Sequence, residues 1–294
     1  MSSTLLVGRQ RTHGTQTTCS LSAIRIVCAS SDSRTPPRRL SVGGGIVDVP
    51  VGASTMDRTR QAWKRGSMLD AIVRGSESSD VAVVLCHGFG ADAADLASLA
   101  GGLDPGEHAY YVFPNAPHLL PHGWGAGRAW FPEEPGEIVS FATGELFRKL
   151  ALLDPPGLEA SGAMLAETVN DAAAGRRLIL GGFSQGAMVA CEAVLSGGLR
   201  PDALLVFSGA LIAERRWTDL IAAGSSPFAG LPVIQSHGRL DSVLPFDAGV
   251  ALGTLLDRGG AERTFFEFNG DHGIPPQLLP AVTDRLADLL ASPR

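Results

Sequence analysis

From residue 81 onward one pattern recurs along the chain: a short, continuously apolar run, a glycine-containing turn, then ten or more residues of helical periodicity. The runs expected as strands are 81–86, 109–113, 177–181, 203–207, 231–236 and 264–268. The helical stretches are 93–100, 157–174, 185–196, 246–257 and 276–291. A strand that is apolar at consecutive positions is covered on both faces, and parallel neighbours need a long crossover between them. Helices supply both. The pattern therefore dictates a single α/β domain, its mainly parallel central sheet flanked by helices. No repeat of about 20–50 residues competes with it. A chain of 294 residues fits two average domains or one large one, and 45% hydrophobic against 18% charged residues supplies the core of the large one.

The charge balance removes whole classes of function. Lysine and arginine total 24 against 30 acids, and a net charge of −6 gives no general attraction to nucleic acid or anionic lipid. Apolar runs such as Val81-Ala-Val-Val-Leu-Cys86 and Leu204-Leu-Val-Phe207 fall far short of the roughly 20 residues that cross a bilayer. A soluble, intracellular, cytoplasmic chain without stable membrane insertion is expected. The four cysteines, Cys19, Cys28, Cys86 and Cys191, have neither zinc-site spacing nor the density of a disulfide scaffold. Cys86 and Cys191 read as buried free thiols in a reducing compartment.

The first 55 residues differ from the rest. Positions 1–40 hold six arginines, thirteen serines or threonines and one acid, Asp32, with no periodic apolar face. Thr35-Pro-Pro-Arg-Arg39 followed by Gly43-Gly-Gly45 reads as linker. Residues 1–55 are thus expected to be a disordered extension, and 56–294 the folded domain. The arginine- and serine-rich composition suits an organellar transit peptide, with Ile26-Val-Cys-Ala29 as a weak plastid processing site. The alternative is upstream translation, with Met56 or Met68 as the true start.

In a parallel sheet ligands meet the carboxyl ends of the strands, so the turns that follow strands are where chemistry belongs. After Leu178-Ile-Leu-Gly181 comes Gly182-Phe-Ser-Gln-Gly186, leading directly into the helical Ala187-Met-Val-Ala-Cys-Glu-Ala-Val-Leu195. This is G-x-S-x-G between strand and helix, the setting of a nucleophile elbow. Its glycines allow a strained turn that thrusts Ser184 out of the sheet, because a β-carbon two positions before or after would strike a neighbouring strand or helix. The bland alternative makes Ser184 a helix cap.

A serine hydroxyl needs a general base, and the base an orienting acid. With an elbow the chain order is serine, acid, histidine, which leaves His237 and His272. His237 ends a strand with no carboxylate placed after a strand before it. His272, in Asn269-Gly-Asp-His-Gly-Ile274, is freed by two glycines and is taken as the base. Asp241, in Ser236-His-Gly-Arg-Leu-Asp-Ser-Val-Leu-Pro245, lies after the preceding strand and is the better acid. Asp247 belongs to the first turn of the next helix, and Asp271 is tied too closely to its neighbour His272 to orient it. An oxyanion needs donors worth about 3–4 kcal/mol each. The Gln185 amide at the helix start is one, and the Phe89 amide in Cys86-His-Gly-Phe-Gly-Ala-Asp92 the other. His87 precedes the nucleophile and reads as pinning its loop by hydrogen bonds.

These segments, with Phe113-Pro-Asn-Ala-Pro117, Arg128-Ala-Trp-Phe131 and the Gly-Asp-His turn at 270–272, resemble the phospholipase/carboxylesterase family of α/β-hydrolases, which includes the acyl-protein thioesterases. The resemblance spans about residues 80–290. It implies the α/β-hydrolase fold, a triad of Ser184, Asp241 and His272, and an oxyanion hole of the Phe89 and Gln185 amides. It departs where Pro132-Glu-Glu-Pro135 stands for an aspartate after Trp-Phe, and where Ala187 stands for a second glycine. The stretch 118–160 is expected to cover the site. There Trp130 and Phe131 are candidates to line an acyl groove, the alternative being that they pack the cap.

The expected activity is hydrolysis of carboxylic esters or thioesters through an acyl-enzyme. The substrate is a small acyl ester or thioester, or an acylated protein, and no cofactor is needed. His118 and His122 are four apart, but Pro121 between them spoils a helix, so no metal site is expected. A peptidase or acyltransferase with the same triad, or a non-catalytic ligand receptor of the same fold, are the other classes open at this stage.

Overall fold

The computed structural model describes residues 39–42, 45–48, 69–105, 109–120, 127–132, 151–152 and 154–291. Within the stretch expected as an extension, β1 (Arg39–Val42) and β2 (Gly45–Asp48) pair antiparallel as a sheet of their own. The linker reading did not anticipate them. The rest of that extension lies outside the described residues, as do Cys19, Cys28 and His122.

The domain begins with β3 (Ala71–Arg74), β4 (Val81–Cys86) and a short α1 (Ala93–Leu96), which runs on into a 3-10 turn at Ala97–Gly101. Next come β5 (Tyr110–Pro114) and a small antiparallel ribbon, β6 (His118–Leu119) with β7 (Arg128–Ala129). Then α2 (Leu158–Ala172), β8 (Arg177–Phe183), α3 (Gln185–Leu195), β9 (Ala203–Phe207) and α4 (Glu214–Ala222) follow. The chain closes with β10 (Pro232–Gly238), α5 (Phe246–Arg258), β11 (Glu262–Phe268) and α6 (Leu279–Ala291).

Seven strands form the main sheet in the order β11, β10, β9, β8, β4, β5, β3. Every neighbouring pair is parallel except β3 with β5. This is the expected mainly parallel sheet flanked by helices. Besides β1, β2 and the short β6–β7 ribbon, two elements of the domain were missed for physical reasons. Four residues of β3 are too short to display a period, and α4 is a polar helix whose buried side chain is Trp217.

The continuous apolar runs do what their pattern requires. Ala82, Val84 and Cys86 of β4 join the cluster covered by α2, α3 and α5, while Val83 and Leu85 join the one covered by α1 and α6; all five are at most 1% exposed. Each fully buried valine or leucine among them contributes roughly 1.5–3 kcal/mol. The Cys86 and Cys191 thiols are buried and unbridged, and burial pushes both upward, Cys191 to about 12, which leaves them unreactive.

One buried charge fixes the helix behind the elbow. Glu192 of α3 accepts from Arg216 Nη1 and Nη2 of α4 at 2.8 and 2.7 Å, from Trp217 Nε1 at 2.7 Å and from Ser196 Oγ at 2.7 Å. Burial alone would raise its carboxyl, but the bonds from Arg216, Ser196 and Trp217 outweigh that and hold it below the ordinary value. Arg216 Nε also lies 2.6 Å from Asp154 Oδ2, tying the segment before α2 to the same network. Among the described residues no helix is long and apolar enough to cross a membrane.

Candidate active site

The elbow sits at the carboxyl end of the central strand. β8 runs two residues beyond its expected end, because Gly182 pairs with Cys86 on one side and Phe183 with Phe207 on the other. Ser184 then takes φ 57° and ψ −122°, a conformation a non-glycine residue rarely adopts. Its N–H donates to the Phe207 carbonyl at 2.9 Å, and its carbonyl accepts from the Ala187 N–H at 3.0 Å. A β-carbon on Gly182 would lie 2.5 Å from the Gly186 oxygen and 2.7 Å from that of Cys86. One on Gly186 would overlap the Cys86 carbonyl. The flanking glycines are thus required by space.

Three segments after three strands meet at this hydroxyl. His272 Nε2 lies 2.9 Å from Ser184 Oγ, and His272 Nδ1 lies 2.7 Å from Asp241 Oδ2. Beside a carboxylate Nδ1 carries the proton, so Nε2 is left to accept from the serine. Asp241 Oδ1 accepts from the Val243 and Leu244 amides at 2.9 and 2.7 Å. The carboxylate is fully buried and the imidazole nearly so. A hydroxyl bonded to an imidazole that a buried carboxylate orients can lose its proton as its oxygen attacks an electrophile. The structure thus brings together the serine, histidine and aspartate singled out in the sequence.

The histidine's loop is held from several sides. Asp271 Oδ1 accepts from the Ser242 N–H at 2.8 Å, the Ser242 hydroxyl at 2.9 Å and the His272 N–H at 2.8 Å. Those bonds hold its carboxyl below the usual range. Asp271 therefore clasps the two loops together instead of orienting the His272 ring. Ser208, at φ 46°, donates from its hydroxyl to the Gly273 carbonyl at 3.1 Å, and the Phe183 ring lies 4.7 Å from that of His272. Asp247 sits in the first turn of α5, as expected.

The loop after β4 lies against the nucleophile: a β-carbon on Gly88 would be 3.4 Å from that of Ser184. His87 pins this loop. Its Nδ1 donates to the Gly88 carbonyl at 2.8 Å, and its Nε2 accepts from the Ala116 N–H at 3.1 Å. Burial lowers it to about 4, so it stays neutral. Arg128 closes the loop through backbone bonds with Gly90 and Ala91, both 2.9 Å. Asp92 caps α1, and Asn115 Oδ1 accepts from the Ala93 N–H at 2.9 Å. Phe89 thus follows Gly88 in a braced loop, and Gln185 follows Ser184 at the start of α3.

Trp130 and Phe131, open between lining an acyl groove and packing, are 0% and 1% exposed and belong to the core, which corrects the groove-lining reading and agrees with packing. Gln185 holds them: its Oε1 accepts from the Trp130 N–H at 2.7 Å and its Nε2 donates to the Phe131 carbonyl at 3.1 Å. Trp130 Nε1 donates to the His87 carbonyl at 2.8 Å, and the Ser161 hydroxyl caps the Trp130 carbonyl. Their aromatic bulk braces the loop after β4. No motif signalled the bracing by Gln185, Ser161 and Asn115, because each acts through a contact distant in sequence. Among the described residues no group of three or more histidines, cysteines or acids is placed to hold a metal ion.

A strand-borne serine elbow joined to a histidine and an aspartate from later turns defines an α/β-hydrolase, and the chain belongs to the phospholipase/carboxylesterase family, whose model matches residues 68–290. Among relatives, acyl-protein thioesterase 1 of Eremothecium gossypii is 29% identical over 222 residues, covering 71% of this chain and 87% of that protein. Among solved structures, acyl-protein thioesterase 2 of Zea mays superposes with a TM-score of 0.59 at 22% identity, covering 75% of this chain and 98% of that one. The Bacillus cereus carboxylesterase gives 0.58 at 18% identity, covering 76% and 95%. At these identities the two structures speak for the fold.

Proposed function

We propose that the chain is a serine hydrolase of carboxylic esters and thioesters acting through an acyl-enzyme. The observation that carries this reading is the continuous relay from Ser184 Oγ through His272 to Asp241, at 2.9 and 2.7 Å. As Ser184 attacks the acyl carbon, His272 Nε2 takes its proton, and Asp241 stabilises the imidazolium. The Phe89 and Gln185 amides receive the oxyanion. His272 then protonates the leaving alcohol or thiol, and water repeats the sequence on the acyl-enzyme. The relay needs neither metal nor organic cofactor. The relatives named acyl-protein thioesterase favour acylated proteins among the thioester substrates.

Hydrolysis of a short-chain p-nitrophenyl ester tests the assignment. Ser184→Ala is expected to lower turnover roughly 10⁴-fold or more with the fold intact, and a variant keeping most of its activity refutes it. Asp241→Asn is expected to cost heavily by holding His272 in the wrong tautomer. Equal loss from Asp247→Asn would name a different acid. A ladder of acyl esters and thioesters of rising length then sets the substrate class.

A further inference from the structure

Asp241 has a second imidazole beside it. His237, the last residue but one of β10, is 0% exposed, and its Nε2 lies 2.8 Å from the Leu244 carbonyl and 3.4 Å from Asp241 Oδ2. Both neighbours are acceptors, so Nε2 carries a hydrogen, given mainly to the carbonyl and secondarily to the carboxylate. The Leu244 N–H, in turn, donates to Asp241 Oδ1. A closed circuit results: Asp241 Oδ1 to the Leu244 amide, the Leu244 carbonyl to His237, and His237 back to Asp241 Oδ2.

The fold reserves space for this ring. Gly249, inside α5, lies so close that a β-carbon there would overlap His237 Nδ1 and come 2.8 Å from Cε1. Glycine inside a helix costs about 1 kcal/mol relative to alanine, and here its missing side chain is the room the imidazole occupies. The Phe246 ring meets His237 edge-on at 6.0 Å. An apolar side chain would fill such a site without the buried polar group, so the imidazole's donor is the feature to explain.

We propose that His237 is a positioning residue for the relay: its Nε2–H, shared between the Leu244 carbonyl and Asp241 Oδ2, fixes the rotamer in which the carboxylate meets His272. This rests on the serine-hydrolase reading and deepens it. Four donors face the two carboxylate oxygens: the Val243 and Leu244 amides at Oδ1, and His272 Nδ1 at 2.7 Å with His237 Nε2 at 3.4 Å at Oδ2, so His237 adds to the hold on the oxygen that meets His272. Loss of that donor acts on the chemical step, where imidazolium forms, rather than on substrate binding.

Steady-state hydrolysis of a p-nitrophenyl ester by the full chain provides the test, with folding checked by circular dichroism and thermal melting. His237→Gln sets an amide N–H near the Nε2 position, whereas His237→Asn is too short to reach and His237→Leu has no donor. The leucine and asparagine variants are expected to lose about 10- to 100-fold in kcat with KM within about twofold, and the glutamine variant to recover most of the loss. Folded variants with unchanged kcat would overturn the proposal. So would equal kcat for glutamine and asparagine, which remains measurable if the leucine variant does not fold. Ser184→Ala separates the two levels: an active Ser184→Ala sinks the hydrolase reading, while an inactive one beside unaffected His237 variants sinks this inference alone.

Discussion

The φ of 57° at Ser184 costs on the order of 1–3 kcal/mol, and the backbone bonds to Phe207, Ala187 and Met188 are what sustain it. His87 is a comparable case of a group held in one state by its surroundings. Its Nε2 must accept from the Ala116 N–H, so a proton there would set two donors face to face. Burial is the main cause that lowers it from 6.5 to about 4. With the folded value below the unfolded one, its contribution is complete above about pH 6.5 and is lost as pH falls toward 4. The loss amounts to about 3 kcal/mol by linkage. Burial lowers His237 in the same direction. Urea unfolding between pH 7 and 4 should therefore show a shallower pH slope for the non-titrating His87→Gln than for the unaltered chain; identical slopes would remove His87 from the account.

At the scale of elements, the active geometry depends on close approach between backbones. α3 can start where it does because Gly186 lets it touch the end of β4, and α5 can lie over the polar side chains of β10 because Gly249 and Gly253 face His237 and Gln235. Gly186→Ala forces β4 and α3 apart at the Cys86 carbonyl, and an expected loss of about 3 kcal/mol, the upper end for overpacking, follows from the rigid backbone it meets. Gly198, just past α3 with φ 69° and nothing within 4 Å, is the control. Alanine there should cost only about 1 kcal/mol, through its backbone conformation. Chemical denaturation of the two variants distinguishes them, and equal losses would mean that the contact with β4 is not what requires a glycine.

Over the whole molecule, sequence periodicity sufficed for the layers because continuous apolar runs have few ways to be buried. The meeting of Ser184, Asp241 and His272 was legible for a related reason: each stands in a turn after a strand, and in a parallel sheet those turns meet at one edge. What stayed illegible depends on contacts between distant residues. Trp130 and Phe131 stayed open between acyl-groove lining and packing because hydrophobicity does not reveal which surface a ring is buried against. His237 was weighed only as a base, since its partner Leu244 acts through backbone. Short polar α4 and the four-residue β3 carry too little pattern to be seen. The claim on which the rest stands is that the sheet edge makes one serine hydroxyl a nucleophile. Labelling the chain with a fluorophosphonate and mapping the adduct by peptide mass measures this most directly. A single adduct on Ser184, formed at least about 100-fold more slowly in His272→Ala, is the expected result; no adduct, or one on another residue, would contradict it.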